Sequence, residues 1–587
     1  MSDHVPPEEP AGSLPPPPDE GADAPTPSAE TPTVPAQPAT PDAMRPAVPT
    51  EGGAVTSKPR SKAVTIALLA GAAVLVLGVV GAAAAYFMLR GAPEAVLDKV
   101  PSGADAVIVA HLDPAASQKM NLFRMASKFP DLGSEQDLTQ QLNSTLDDAL
   151  SGSGLTHADL SWVGGEAGAY VTVNGAAPEY AVLIASDDDG AASAALQKYR
   201  DASGVTYTQT TVDGVAVWTT SATDDPEMAV VDGTVVLASD QHAMQAVIQT
   251  DHGASSIQDD QTFTTVMDQL PADNLGFAYV NLQALTSLAN LVPGGMGGLD
   301  SQFAAYQAAA YSISAESDGL AIDGATTTDP SELTDAQRAT LGSGPNPLLA
   351  ITPANAYAVL ATSGIGKALS DSVTQFAQLG PGPARTIERL GLIGPDGVLQ
   401  HLTGDVGFQV GPGSGLFPVG GTVLIGVDDA GAVQSWLDTH LPVLLARTGV
   451  PGLSTRTLKT EDYNGVKITY SAVPTTPVAW GVVNGALVIG LSPNAVEQAV
   501  DLSQGNGPSI TSNSAFSSAT EGLPGTQMLL YVDVNGILTA VQGILPNDAY
   551  QQFLEQGGKN LQPIKAVVGG GANTETVQTY RLFIEIP

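Results

Sequence analysis

MAVVDGTVVLASDQHAMQAVIQ at Met228–Gln249 and AWGVVNGALVIGLSPNAVEQAV at Ala479–Val500 share one pattern. Each has an apolar run, a two-residue turn, a second apolar run and then helical spacing. Asp232-Gly233 and Asn484-Gly485 fill the turn, where a type I′ hairpin needs positive φ at both positions. The likeness extends downstream. Ser255–Pro271, SSIQDDQTFTTVMDQLP, parallels Pro508–Pro524, PSITSNSAFSSATEGLP, and FAYVNLQAL from Phe277 parallels LYVDVNGIL from Leu530. It extends upstream as well. GEAGAYV from Gly165 parallels GDVGFQV from Gly404, and VLIASDDDGAASAAL from Val182 parallels VLIGVDDAGAVQSWL from Val423. The offsets drift only from about 239 to 253 residues, as duplication of a whole domain leaves them. This predicts two homologous α+β repeats with mainly antiparallel sheets, spanning 95–330 and 345–587. The polar stretch TTTDPSELTDAQ joins them.

Residues 1–62 hold 16 prolines, with Thr, Ala, Ser and Glu between them and almost no aliphatic periodicity. Such a segment buries too little apolar area to offset its chain entropy, which predicts a disordered Pro-rich cytoplasmic tail. Ala63 to Leu89 then runs 27 residues without a charge. A helix of that length measures roughly 40 Å against about 30 Å of hydrocarbon, so one transmembrane helix is expected over 63–90. Lys58, Arg60 and Lys62 precede it and only Arg90 follows closely, which places the N-terminus in the cytoplasm and the rest outside a cell membrane crossed once.

The 587 residues carry 60 acids against 22 bases, a formal net charge of -38. That balance argues against nucleic-acid binding, which depends on clustered Lys and Arg. With no cysteine there is no disulfide, thiolate-held metal or Cys nucleophile. A chain with 43% apolar residues is long enough to build ordinary cores without such staples.

VPSGADAVIVAHLDPAASQKMNLFRMASKFPDL, from Val100, carries Pro-x-x-Ala, a short strand, Asp-Pro and a helix ending in Phe-Pro. In this it resembles the start of a bacterial family of unknown function. The members of that family have a Pro-rich cytoplasmic tail, one span and a duplicated extracytoplasmic domain. The second copy, ITPANAYAVLATSGIGKALSDSVTQF from Ile351, lacks the Asp-Pro and Phe-Pro marks. The resemblance implies an envelope location and supplies no activity.

His111, His157, His242, His252, His401 and His440 are scattered, with no pair at metal-ligand spacing. No nucleophile elbow, Walker A loop or dinucleotide fingerprint is present. Asp187-Asp188-Asp189-Gly190 and Asp428-Asp429 invite a calcium reading, but their spacing does not fit an EF-hand. Each run sits where a strand passes into a helix, so an N-cap is the simpler reading. Glu166 and Asp405 occupy matching Gly-acid-x-Gly turns. A carboxylate pair acting across the two halves is conceivable, and turn stabilisation is simpler. Glu166, Asp405, Asp187 and Asp428 are thus the only candidate site residues, and no catalytic residue, metal or cofactor is expected.

The resulting expectation is a non-enzymatic envelope protein whose outer domains bind a protein partner or an apolar, lipid-like ligand. One alternative is a carboxylate-dependent hydrolase or transferase acting on cell-wall material. Another is a structural or signalling protein with a docking tail.

Overall fold

The computed structural model describes residues 96–130, 143–144, 146–148, 150–173, 178–222, 225–284, 304–378, 380–394, 397–413, 418–447, 457–473 and 478–587. The Pro-rich tail and residues 63–90 lie outside the described residues. Among those described, no helix is long and apolar enough to cross a membrane, so the expected one-span element drops out of the fold class.

In the first half, the strands are β1 (Ala106–His111), β2 (Val163–Thr172), β3 (Glu179–Ser186), β4 (Tyr207–Val212) and β5 (Val215–Thr220). They continue as β6 (Glu227–Val231), β7 (Thr234–Ala238), β8 (Gly276–Asn281), β9 (Tyr306–Glu316) and β10 (Gly319–Thr328). The second half has β11 (Ala358–Thr362), β12 (Leu402–Pro412), β13 (Val419–Val427), β14 (Leu458–Tyr463) and β15 (Val466–Ser471). It ends with β16 (Ala479–Val483), β17 (Ala486–Gly490), β18 (Met528–Asp533), β19 (Ala566–Asn573) and β20 (Val577–Glu585).

The hairpins form for the reason the sequence gives. Asp232 and Gly233 adopt φ of 36° and 72°, and Asn484 and Gly485 adopt 43° and 78°. The same device closes β4–β5 at Asp213-Gly214 and β14–β15 at Asn464-Gly465. Hydrogen-bonded neighbours in the first half run β4-β5-β6-β7-β3-β2-β1-β8-β9-β10. In the second half they run β14-β15-β16-β17-β13-β12-β11-β18-β19-β20. Every pairing is antiparallel, and the two orders are identical.

The two halves, whose packing the sequence left open, join edge to edge at their boundary. β10 pairs antiparallel with β20 from Gly319↔Glu585 to Thr327↔Val577, so the twenty described strands make one sheet. Because β10 and β20 are corresponding strands, a pseudo-two-fold axis passes between them, near Asp323 opposite Arg581. Arg581 pairs there with Asp323, at 3.3 Å, and with Glu316. Burial pushes the Asp323 carboxyl up, against the pull of Arg581 and with a further rise from Glu316.

Helices cover the sheet in a repeated way. They are α1 (Ala116–Ala126), α2 (Asp189–Ser203), α3 (Gln241–Asp251), α4 (Gln261–Met267), α5 (Ile365–Gln378), α6 (Ala430–Thr439), α7 (Pro493–Ser503), α8 (Ser514–Thr520) and α9 (Val534–Ile544). Met244, Val247 and Ile248 of α3 and Phe263 of α4 pack on Val107, Val109, Leu183 and Val236. Ala192, Ala195 and Leu196 of α2 pack on Trp162 and Val235, which point to the opposite face. In the second half α7 and α8 take the first role and α6 the second. The cores correspond in detail. Phe263 meets Tyr279 edge-on at 5.0 Å, and Phe516 meets Tyr531 edge-on at 5.1 Å.

Helices α1 and α5 break this likeness. Gln118 and Asn121 of α1 hydrogen-bond the backbone of Ala315, and Met125 packs with Ala315 and Ile586, which fixes α1 over the ends of the central strands. Helix α5 follows β11 as α1 follows β1, yet it packs against β12.

Candidate functional site

The carboxylates singled out from sequence do not meet. Glu166 lies in a β2 bulge between Val163 and Ala167, and Asp405 lies in the matching β12 bulge between Leu402 and Val406. Glu166 is buried, accepts a 3.0 Å hydrogen bond from the Val96 backbone N–H and stands 3.9 Å from His111 Nδ1. Asp405 is half-exposed and accepts a 2.9 Å hydrogen bond from Thr403 Oγ1. Nine strand-to-strand steps separate β2 from β12, on the order of 40 Å of sheet, whereas glycosidase carboxylates act about 5–10 Å apart.

The acidic runs resolve as helix starts. Asp188 accepts from Ala191 N–H at 3.0 Å and Asp429 from Ala432 N–H at 2.9 Å, so the caps fall one residue after Asp187 and Asp428. The Ala432 N–H holds the Asp429 carboxyl below the usual range. Asp428 instead faces His401 Nδ1 at 3.2 Å, and the Asp187 backbone N–H donates to the Trp162 carbonyl. Among the described residues no group of three His, Asp or Glu is placed to hold a metal.

What the fold does bring together is a set of apolar side chains on the sheet face opposite α4 and α8. Strand alternation sends Val359, Ala361, Leu529 and Tyr531 into the core under α8. Their neighbours Leu360, Phe408, Val410 and Met528 point the other way and are 48, 48, 42 and 38% exposed. Register lines these side chains into rows across the strands. One runs Phe408–Leu360–Leu530–Gly569–Leu582–Ile322–Ile313. A second, two residues along, runs Val410–Ala358–Val532–Val567–Ile584–Leu320–Ala315. A third runs Met528–Gly571–Tyr580–Gly324–Tyr311.

The glycines of the third row are required by what lies on them. A β-carbon on Gly324 would come within 2.6 Å of the Tyr311 ring, and one on Gly571 within 2.9 Å of the Tyr580 ring. Each ring lies over its cross-strand glycine and keeps the surface low. Burial pushes the Tyr580 hydroxyl up to about 12. None of the three rows contains a charged residue. The crevice beside the patch, lined by Asn355, Gln409, Val410 and Leu491, holds only about 40 Å³, room for a few waters. Sequence reasoning missed this face because β11, AVLAT, reads as apolar at both parities, and β12 alternates with Val406, Phe408 and Val410 on one side and Gln409 on the other, a pattern that ordinarily turns the apolar side to the core.

The fold and site define a chain of duplicated architecture, one antiparallel sheet with an open apolar face, on which Glu166 and Asp405 stand far apart. It belongs to the family described as "Protein of unknown function (DUF3352)", whose model matches residues 69–435 and 444–575. No curated protein matches the chain. Solved structures similar to it include crystal forms III, IV and I of TP0453, at 9, 9 and 11% identity. They cover 42, 40 and 40% of this chain and 84, 81 and 79% of TP0453, with TM-scores of 0.24, 0.22 and 0.22, a likeness too slight to carry a functional argument.

Proposed function

We propose that this protein is a non-enzymatic binding protein whose second half holds an apolar, lipid-like ligand against the open sheet face. The observation that carries the reading is the row Phe408–Leu360–Leu530 with its exposed neighbours Val410 and Met528. Large apolar side chains left in water on adjacent strands mark an interaction surface, because covering them with ligand is favourable at about 25 cal/mol per Å². The rows are flat and uncharged, which suits hydrocarbon better than a polar substrate. The separation of Glu166 from Asp405 counts against the carboxylate-enzyme alternative. An envelope setting, implied by the family resemblance, belongs to the same reading, and fractionation of host cells tests it.

The test is native mass spectrometry of the full-length chain purified from its own host, followed by extraction of whatever is bound. A stoichiometric lipid or other apolar molecule, lost from a Leu360→Ser, Phe408→Ser protein, supports the reading. A clean mass, together with no binding of added fatty acid, sinks it and turns the search to protein partners by crosslinking.

A further inference from the structure

Three lysines converge where the second apolar row ends. Lys128 follows α1, Lys559 lies in the turn before β19 and Lys565 directly precedes β19, and all three line one pocket of about 500 Å³. Among the described residues the rest of the lining is Pro130, Asn535, Gln562, Pro563 and Pro587. Two of the ammonium groups have defined partners. Lys128 Nζ donates to the Ile586 carbonyl at 2.9 Å and to the Pro587 carbonyl, and Lys565 pairs with Glu585. An ammonium has three N–H donors, so Lys128 and Lys565 keep capacity for an incoming oxygen after these bonds.

The pocket wall is apolar where it meets the sheet. Phe129 and Ile564, neighbours of Lys128 and Lys565 in sequence, pack with Leu320 and Ile584. Leu320 and Ile584 are members of the row that reaches Val410 through Val567, Val532 and Ala358. From β20 to β12 that row crosses four strand spacings, about 20 Å, comparable to a long acyl chain.

We infer that the pocket of Lys128, Lys559 and Lys565 takes the anionic head of an amphiphile whose hydrocarbon lies along this row. The shared head-group chemistry is a phosphate or carboxylate that leaves the head with a net negative charge and no cation of its own, which ammonium donors bind through charge-assisted hydrogen bonds. The inference rests on the reading of the open face as a ligand surface and adds the ligand's charge.

Calorimetry on the full-length chain tests it, with short-chain phosphatidic acid, phosphatidylcholine of the same chain length and inorganic phosphate as probes. Phosphatidic acid is expected to bind more tightly than phosphatidylcholine, with the difference narrowing as salt rises. Lys128→Gln, Lys559→Gln, Lys565→Gln is expected to weaken phosphatidic acid by roughly tenfold or more and to leave phosphatidylcholine unchanged. The double variant Lys128→Gln, Lys559→Gln keeps the Lys565–Glu585 pair and provides a folded protein if the triple variant is unstable. Equal binding of both lipids, insensitive to the lysines, overturns this inference alone. Binding of neither lipid overturns it together with the open-face reading. Lysine-dependent binding of inorganic phosphate, with no gain from the acyl chains, overturns the amphiphile and leaves a free-anion site.

Discussion

Replacing Phe408 by Ser separates what this ring does for the fold from what it does for a ligand. An aromatic side chain offers roughly 200 Å² of surface. Phe408 is 48% exposed, so close to 100 Å² of that surface is left for a ligand to cover. At about 25 cal/mol per Å² that area is worth at most about 2.5 kcal/mol of affinity, or roughly seventyfold in Kd. The buried half supports the sheet, and its loss costs about 1–2 kcal/mol of stability, since full deletion of a buried Phe costs about 3–5. The assay is titration of a fatty acid or an environment-sensitive apolar dye into wild type, Phe408→Ser and a Val443→Ser control, with denaturant unfolding alongside. Val443 is 50% exposed on the helix Leu441–Arg447 and belongs to none of the three rows. Phe408→Ser should weaken binding by roughly tenfold to seventyfold, and Val443→Ser by less than about twofold. Equal effects from the two substitutions would refute the assignment of the site to this face and leave only general stickiness.

Arg581→Met should destabilise the protein by about 3 kcal/mol near neutral pH, because it strips Asp323 of its partner. The folded pKa of Asp323 is raised, so its charged form works against folding as pH climbs from the ordinary value of 3.8 through the raised one. The damage from Arg581→Met should therefore shrink on acidification through that window, which urea unfolding at several pH values will show. Asn484→Ala removes the short polar side chain that lets Asn hold φ 43° and should cost about 1 kcal/mol, while Asn484→Gly should be close to neutral, as read by thermal unfolding. Asp188→Ala removes the α2 cap and should cost about 1 kcal/mol, and Asp187→Ala should cost less. Calcium should change neither result, and a calcium-dependent rise in Tm would contradict the capping assignment.

Local chemistry made much of this fold readable. Asn-Gly and Asp-Gly pairs between alternating runs fix hairpins by backbone geometry alone, and Asp188 and Asp429 cap helices through bonds that span three residues. The joining of the halves was not readable, because GLAIDGATTT and VQTYRLFIE contain nothing that names one as the partner of the other. A strand edge offers the same N–H and C=O groups whatever its sequence. The likeness of Glu166 to Asp405 was real in sequence and misleading in space. Repetition places equivalent residues at equivalent points of two halves, and here those points are nine strands apart. The open face was hidden for a related reason. Whether Leu360 is covered depends on where α5 comes to rest, and that is settled by tertiary packing that no local pattern records.

The β10–β20 seam bears on ancestry. A forebear of half this length would have ended its sheet at β10, and two such chains would have met about a true two-fold through that strand, as an isologous dimer does. In a dimer of identical chains every substitution appears twice, so both partners must change together. Joined in one gene, the halves are released from that constraint. Ile108, Ala169 and Val171 stand in the first half where Leu360, Phe408 and Val410 stand in the second. A bulky ring on one side of the axis and a methyl group on the other is a difference that a dimer of identical chains cannot hold, and it gives the exposed ring of Phe408 to one half alone.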